Sequence, residues 1–456
     1  MHDLMHDLAH SVIENEYRVV LNGKSKDISP RIRHVSSNGL GILAASLPKA
    51  QMLRTYVMLE QVVFQFPCDV GLFKCLRALD FTMQDKQELT SLGNLQHLRY
   101  LDLSFTLIEM LPESLTSLCY LQTLILFHCT KLCELPKEMC KLSNLRCLDI
   151  THCYKLTHMP PKMGQLSCLQ ELSNFIVGET NEIACSGIGE LLGLNLRGRL
   201  RIQLPKNITD ASDVPRDSLI NKPNLTSLDL MWKVAFATSE EDRKREVLEQ
   251  QVLQGLQPHR SLKKLGIFGL NFPSWMMDTL TELVEITLEG CWRCHLPPLG
   301  ELPFLKVLRI YKLKNVECIG NEFYGNEVSG GFPSLEILEI RDMEKLKTWS
   351  GLEWKGERVF PSLNKLNISF CPMLTTVEIF PNIKDLNVDQ GMMQSLKDQK
   401  SFESMHQQHC NQSSFADEDQ KRSQSSLQVL NIRRKKRGDK GSCDIKQSCL
   451  HMSQET

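Results

Sequence analysis

The chain has 456 residues, of which 42% are hydrophobic, 23% charged and only 7% aromatic. Leucine alone fills 70 positions, well above ordinary globular usage, and this excludes collagen-like, mucin-like and wholly disordered classes. With 53 basic and 54 acidic residues the formal net charge is −1, which argues against bulk attraction to nucleic acid or to an anionic membrane.

No apolar run approaches the ~20 residues that span a bilayer. The opening Met1 to Asp7 carries charge where a signal peptide needs an apolar stretch. A cytoplasmic chain is therefore expected, with its 17 cysteines held as thiols and used as small buried hydrophobes. In chain order, residues 1–16 predict a short amphipathic helix: Leu4, Leu8 and Val12 lie beside Met5, Ala9 and Ile13 at i, i+4 spacing. Residues 17–72 carry strand-like runs, Tyr17 to Leu21 and Tyr56 to Phe66, expected as first irregular repeats or the remnant of an upstream domain, with 36–72 a linker holding irregular first repeats. Residues 73–388 carry a repeat. Inserts are expected near 173–222, around a strand at Leu200/Ile202, and near 236–258, where a charged run leads into a helix. The leucine pattern fades from Asp389. Residues 389–456, rich in Gln, Ser and charge, are expected as a mostly disordered tail.

The repeat is L-x-x-L-x-L, with apolar residues at offsets 0, +3 and +5. It appears at Leu76, Leu98, Leu121 and Leu145, and after a break at Leu225, Leu262, Leu283, Leu305, Leu335, Leu363 and Ile383. The first four starts are 22, 23 and 24 residues apart. Offsets +3 and +5 differ by two, so their side chains share one face of a strand, and +4 points the other way. One such unit cannot bury its apolar face alone. Stacked units can, with the strands in a parallel sheet. The fold expected is an α/β repeat solenoid, a leucine-rich repeat horseshoe with the sheet on its concave face and an irregular or short helical convex side. Offset +8 holds Thr106, Cys129, Cys153, Cys291 and Cys371, small enough to turn inward. Leu111-Pro112, Leu135-Pro136 and Met159-Pro160 mark the return path, where proline suits backbone without a regular ladder.

The concave face then presents offsets +2 and +4. Candidate partner-binding residues there are Tyr100, Asp102, Thr123, Ile125, Asp149, Asp229, Lys264, Arg309 and Lys365. Acids fall in the early units and bases in the later ones, interrupted by Glu285 and Glu339. The expected polarity could steer a protein partner and set its register. At +7 lie Phe105, His128, His152, Trp232 and Phe370, large side chains that would serve as anchors at an interface.

Other motifs read more plainly. Cys291-Trp292-Arg293-Cys294-His295 has the C-x-x-C-H spacing of haem attachment, but Cys291 is already explained as a +8 turn residue. His2, His6 and His10, with Asp3 and Asp7, would share a helix face and could in principle hold zinc; such a row is more often a solvated face, and that is the reading adopted. Arg433 to Arg437 is a basic run that reads as part of a solvated tail, or as a nuclear-localisation signal. No nucleophile elbow, zincin helix or kinase signature occurs, so no enzyme, metal or cofactor is expected.

Met1-His2-Asp3-Leu4-Met5-His6-Asp7-Leu8-Ala9 resembles the MHD motif and following helix that close the nucleotide-binding module of plant NB-LRR disease-resistance proteins. Arg33-His34-Val35-Ser36 is similar to the bridge from that module to the repeats. Leu256-Gln257-Pro258-His259 through Phe272-Pro273-Ser274-Trp275, Leu296-Pro297-Pro298-Leu299-Gly300 and Glu322-Phe323-Tyr324-Gly325 look like the mid-solenoid of the coiled-coil class. The resemblance implies that residues 1–35 are the end of a winged-helix ARC2 unit. It also implies that Met1, His2 and Asp3 correspond to the family's ADP-sensing motif. No G-x-x-x-x-G-K-[ST] phosphate loop occurs in this sequence, so ADP or ATP is expected only in a full-length member, and a truncated receptor is expected here. The resemblance further implies recognition of a pathogen effector or a guarded host protein, and contact with the nucleotide-binding module in cis or in trans. An adaptor or scaffold subunit, or a non-functional receptor remnant, is the alternative.

Overall fold

The structure is a computed structural model that describes residues 17–20, 29–37, 47–58, 69–80, 88–178, 187–205, 218–232, 240–291, 295–325, 331–349, 359–374 and 383–388. The expected helix over 1–16, the Met1-His2-Asp3 motif, the zinc row, Phe81, Trp292 to Cys294, the tail and its basic run lie outside these residues.

Each coil contributes one short strand, and all pairing between them is parallel. The first sheet contains β1 (Tyr17–Val20), β2 (His34–Ser37), β3 (Thr55–Met58), β4 (Ala78–Asp80), β5 (Tyr100–Asp102), β6 (Thr123–Ile125), β7 (Cys147–Asp149) and β8 (Glu171–Leu172), in that order. The second runs through β9 (Asn174–Ile176), β10 (Gly198–Leu204), β11 (Leu225–Trp232), β12 (Lys264–Phe268), β13 (Glu285–Glu289) and β14 (Val307–Tyr311). After a short strand β15 (Cys318–Ile319) it continues with β16 (Ile337–Arg341), β18 (Lys365–Ser369) and β19 (Asp385–Val388); β17 (Thr348–Trp349) pairs only with β15. Register aligns the +3 residues into one row, Leu79, Leu101, Leu124, Leu148 and Leu172. A second row holds Leu228, Leu265, Ile286, Leu308, Leu338 and Leu366. These side chains are buried, and with the +5 row they form the single elongated core that stacking predicts.

The sheet runs upstream of the expected boundary at residue 73. Val35 and Tyr56 occupy the +3 place in register with Leu79, and Ile32 and Leu53 are buried three residues before them. These coils keep the spacing but put Ile32, Val35 and Tyr56 where the pattern has leucine, so a strict leucine pattern does not register them. The 173–222 region also contains regular coil. Leu172 is in register with Leu148, whereas Phe175 is in register with Ile202. Inward residues three apart mean a one-residue slip at Ser173, and there the first sheet passes into the second. Ser173 bridges the slip: its N–H donates to Leu148 O at 3.2 Å, and its carbonyl accepts from Arg201 N at 3.0 Å.

Short 3-10 turns line the outer side, including Val70–Leu72, Glu88–Asn94, Glu113–Ser117, Met139–Lys141 and Met163–Gln165. In the second insert, α1 (Glu240–Gly255) packs Val252 and Leu253 into the core, and the Trp275 indole N–H, in α2 (Trp275–Thr279), donates to Leu253 O at 2.7 Å. Four aromatics gather late in the chain. Phe323, Tyr324, Phe332 and Phe360 are buried together, with Phe332 and Phe360 stacked at 4.8 Å. Gly300 is required beside them, because a Cβ there would stand 2.2 Å from Tyr324 O.

Candidate functional site on the concave sheet

The alternation of the strands decides what the inner face presents. Tyr100, Asp102, Thr123, Ile125 and Asp149 are all half-buried, between inward leucines that are fully buried. They stand in two registered rows, Tyr100, Thr123, Cys147 and then Asp102, Ile125, Asp149. Asp80 sits directly before Asp102. Burial first, then the neighbouring Asp102 charge, pushes the Asp80 carboxyl up to about 7. Tyr100 Oη donates to Asp102 Oδ2 at 3.2 Å, and Ser104 Oγ donates to Asp102 Oδ1 at 2.5 Å. The Tyr100 phenol is pushed above its ordinary range by burial and then by Asp102 and Asp80.

The later half is arranged differently. Lys264 pairs with Glu285 at 2.8 Å, and Arg309 is held by Glu285 on one side and by Glu339 at 3.5 Å on the other. Lys365 pairs with Asp385 at 3.5 Å. Burial works against the Glu285 carboxylate, but hydrogen bonds from Lys264 and Arg309 outweigh it and hold its carboxyl below the ordinary range. The expected basic end is thus corrected to an internally neutralised ladder of ion pairs. Asp229 also leaves the acidic end: it is 7% exposed, and Arg199 and Arg201 both reach its Oδ2, at 2.8 and 3.0 Å. Among the described residues, no cation pairs with Asp80, Asp102 or Asp149, so net acidity survives only in the first half.

The +7 residues share one backbone device. Phe105, His128, His152 and Phe370 have φ of 61, 59, 64 and 55°, the left-handed region. Lys312 and Asp342 do the same in their coils, and Gly269 and Gly290 do so at no steric cost. This turn takes the chain out of the strand and lets +8 fold inward. Cys129 Sγ then donates to Leu103 O, and Cys153 Sγ to Leu126 O, both at 3.1 Å. Cys291 is buried in the same way, as a turn residue rather than an exposed haem ligand. Trp232 is the exception. Strand β11 continues through it, so its side chain enters the core at 4% exposure and is no surface anchor. Phe127, which the offsets did not single out, joins the rings: its centroid is 5.3 Å from Phe105 and 5.3 Å from His152. A residue at +6 adjoins the sharp turn, and only the folded turn brings it beside its neighbours.

Among the described residues, no helix is long and apolar enough to cross a membrane, and no group of three or more His, Cys, Asp or Glu could hold a metal ion. The family model for the leucine-rich repeat region matches residues 52–431. Two curated relatives from Arabidopsis thaliana are each 40% identical. One is a disease resistance protein that matches over 82% of this chain and 28% of its own length. The other is a disease resistance RPP13-like protein, over 65% and 29%. Disease resistance protein RGA2 of Solanum bulbocastanum is 35% identical over 82% of this chain and 37% of its own length. The chain therefore spans well under half the length of these relatives. Among solved structures, an internalin of Listeria monocytogenes has 17% identity and a TM-score of 0.45, covering 79% of this chain and 88% of that one.

Proposed function

The chain belongs to the leucine-rich repeat family, with plant disease resistance proteins among its relatives, and from that premise we propose that it is a protein-recognition module of a plant immune receptor. The observation that carries this reading is the parallel inner sheet, whose +2 and +4 side chains remain half-exposed in register over the successive strands β5, β6 and β7. A repeat scaffold holds such rows on rigid strands, so side chains can be set against a partner without ordering cost at binding. In this reading the module does no catalysis and carries no nucleotide of its own. Its site is the concave face, from Tyr100, Asp102, Phe105, Thr123, Ile125, His128, Asp149 and His152 through Lys264, Arg309, Lys365 and Phe370. The partner is an effector, a guarded host protein or the receptor's nucleotide-binding module. Exchange between two of these would bias a two-state receptor by their difference in affinity. A cytoplasmic setting goes with this reading.

The test is association with the nucleotide-binding module of a curated relative, measured by co-purification. Asp102→Lys with Asp149→Lys should weaken it at least about tenfold, since close charge pairs carry more than 1.4 kcal/mol, while the circular dichroism spectrum stays that of the folded chain. Unchanged association with every inner-face variant would overturn the reading. ATP or ADP retained by the purified chain would overturn its nucleotide-free part.

A further inference from the structure

Two rows of side chains run together across the coils that start at Leu98, Leu121 and Leu145, the first of them beginning one coil earlier, at Leu76. The first is carboxylate-rich: Asp80, Asp102, Ile125 and Asp149, in register across β4 to β7. Asp102 accepts from Tyr100 and Ser104, and Asp149 accepts from Thr151 N at 2.9 Å. No described cation neutralises either. The second row is of rings. Phe105 lies 5.2 Å from His128, His128 lies 5.7 Å from His152, and His152 lies 5.5 Å from Tyr154, with Phe127 wedged against all three turn residues. Tyr154 Oη stands 2.6 Å from His152 Nδ1. The rings are not core. Tyr154 is 66% exposed and the others are half-buried.

Phe105, His128 and His152 hold left-handed φ in three consecutive coils, a conformation that costs every residue with a Cβ. Gly269 and Gly290 make the same turn free of that cost. Lys312 and Asp342 make it as well, so the turn does not call for a ring, and three consecutive rings have no explanation in it. Beyond His152 lies Arg201, which is committed with Arg199 to Asp229. Burial, His128 and Arg201 together lower the His152 pKa, so at neutral pH His152 adds little positive charge beside the acids.

We propose that these two rows bind an arginine-bearing segment of a protein partner. The proposal rests on the recognition reading above and names the chemistry of the occupant. An arginine side chain satisfies both rows at once: its planar face stacks on rings and its N–H edge reaches carboxylates. Lysine brings a point charge without a plane. A glutamate-rich segment meets like charge, and a purely apolar one would strip water from Asp102 and Asp149 with nothing in exchange.

The experiment uses the full chain and four labelled Gly-Ser peptides carrying arginine, lysine, glutamate or leucine, with binding read by fluorescence anisotropy. The arginine peptide should bind about tenfold more tightly than the lysine peptide. Asp102→Asn with Asp149→Asn should cost it about tenfold or more and flatten its salt dependence. His128→Gly with His152→Gly should erase the preference for arginine over lysine; glycine suits those φ values, so this variant keeps the fold. Lys141→Gln, in an exposed 3-10 turn on the outer side, should change nothing. Equal binding of the arginine and lysine peptides, or indifference to both double variants, overturns the proposal. If the glutamate or leucine peptide binds best and is lost in the His128→Gly and His152→Gly variant, the cationic occupant is wrong while the recognition reading stands. Binding by none of the four also overturns it, and the association test above then judges the broader reading alone.

Discussion

Phe370 holds φ at 55° while 64% of its surface faces solvent. Its burial therefore offsets little of the left-handed cost, about 1–2 kcal/mol for a residue with a Cβ. Phe370→Gly should raise unfolding stability by about 0.5–1 kcal/mol, allowing for glycine's larger unfolded entropy. Phe370→Val should lower it, because branching at Cβ aggravates the strain; chemical denaturation of both checks the pair. Asp80 gives a second prediction at this scale. Its folded pKa of about 7 lies above the ordinary carboxyl value, so the folded state binds the proton more tightly and stability is lost as pH rises from about 4 to 7. Asp80→Asn should therefore stabilise the chain at pH 8, by about 1 kcal/mol after solvent screening, and be nearly neutral at pH 4. An equal effect at both pH values would show that the raised Asp80 carboxyl pKa, set by burial and then by Asp102, is not the cause. Nothing in the sequence marks Asp80 as perturbed, because the pairing with Asp102 depends on register between coils.

Strands of three to five residues have no stability of their own, and each coil relies on the coils beside it. Leu124 is fully buried between Leu101 and Leu148. Leu124→Ala should cost about 3 kcal/mol through lost burial and the cavity left in a row that cannot collapse on one side only. The ion-pair ladder works across elements in the same way. Glu285→Gln should cost about 1 kcal/mol and raise the salt sensitivity of nothing else, since Lys264 and Arg309 both lose their shared carboxylate; Lys264→Gln alone should cost less, as Arg309 keeps two acids. Offsets +2 and +4 were legible as outward positions from alternation alone. That Lys264, Arg309 and Lys365 are paired was not, because their partners sit one coil away in a register that varied spacing conceals. Trp232 misled for a related reason: offset +7 is a turn in most coils, but β11 runs on through it.

Solenoid stability approximates a sum of coils and their interfaces, so cooperativity can break where neighbours mismatch. The one-residue slip at Ser173 is such a place. Hydrogen exchange in rising denaturant should show β1 to β8 and β9 to β19 losing protection at different concentrations. A single shared transition would mean that the Ser173 bridge couples the sheets fully. The leucine interval settled the repeat class and the inward rows without any coordinates, because a period near 23 with +3 and +5 apolar positions has one way to bury itself, by stacking. It also placed the turn cysteines inside. What the interval could not decide was register, since pairing between coils is a contact across some twenty or more residues. Only the tertiary structure extends the sheet back to Tyr17, moves Asp229 and Trp232 out of the inner surface, neutralises the later bases and gathers Phe127 into the ring row. Each of those outcomes depends on which atoms of one coil lie over the next.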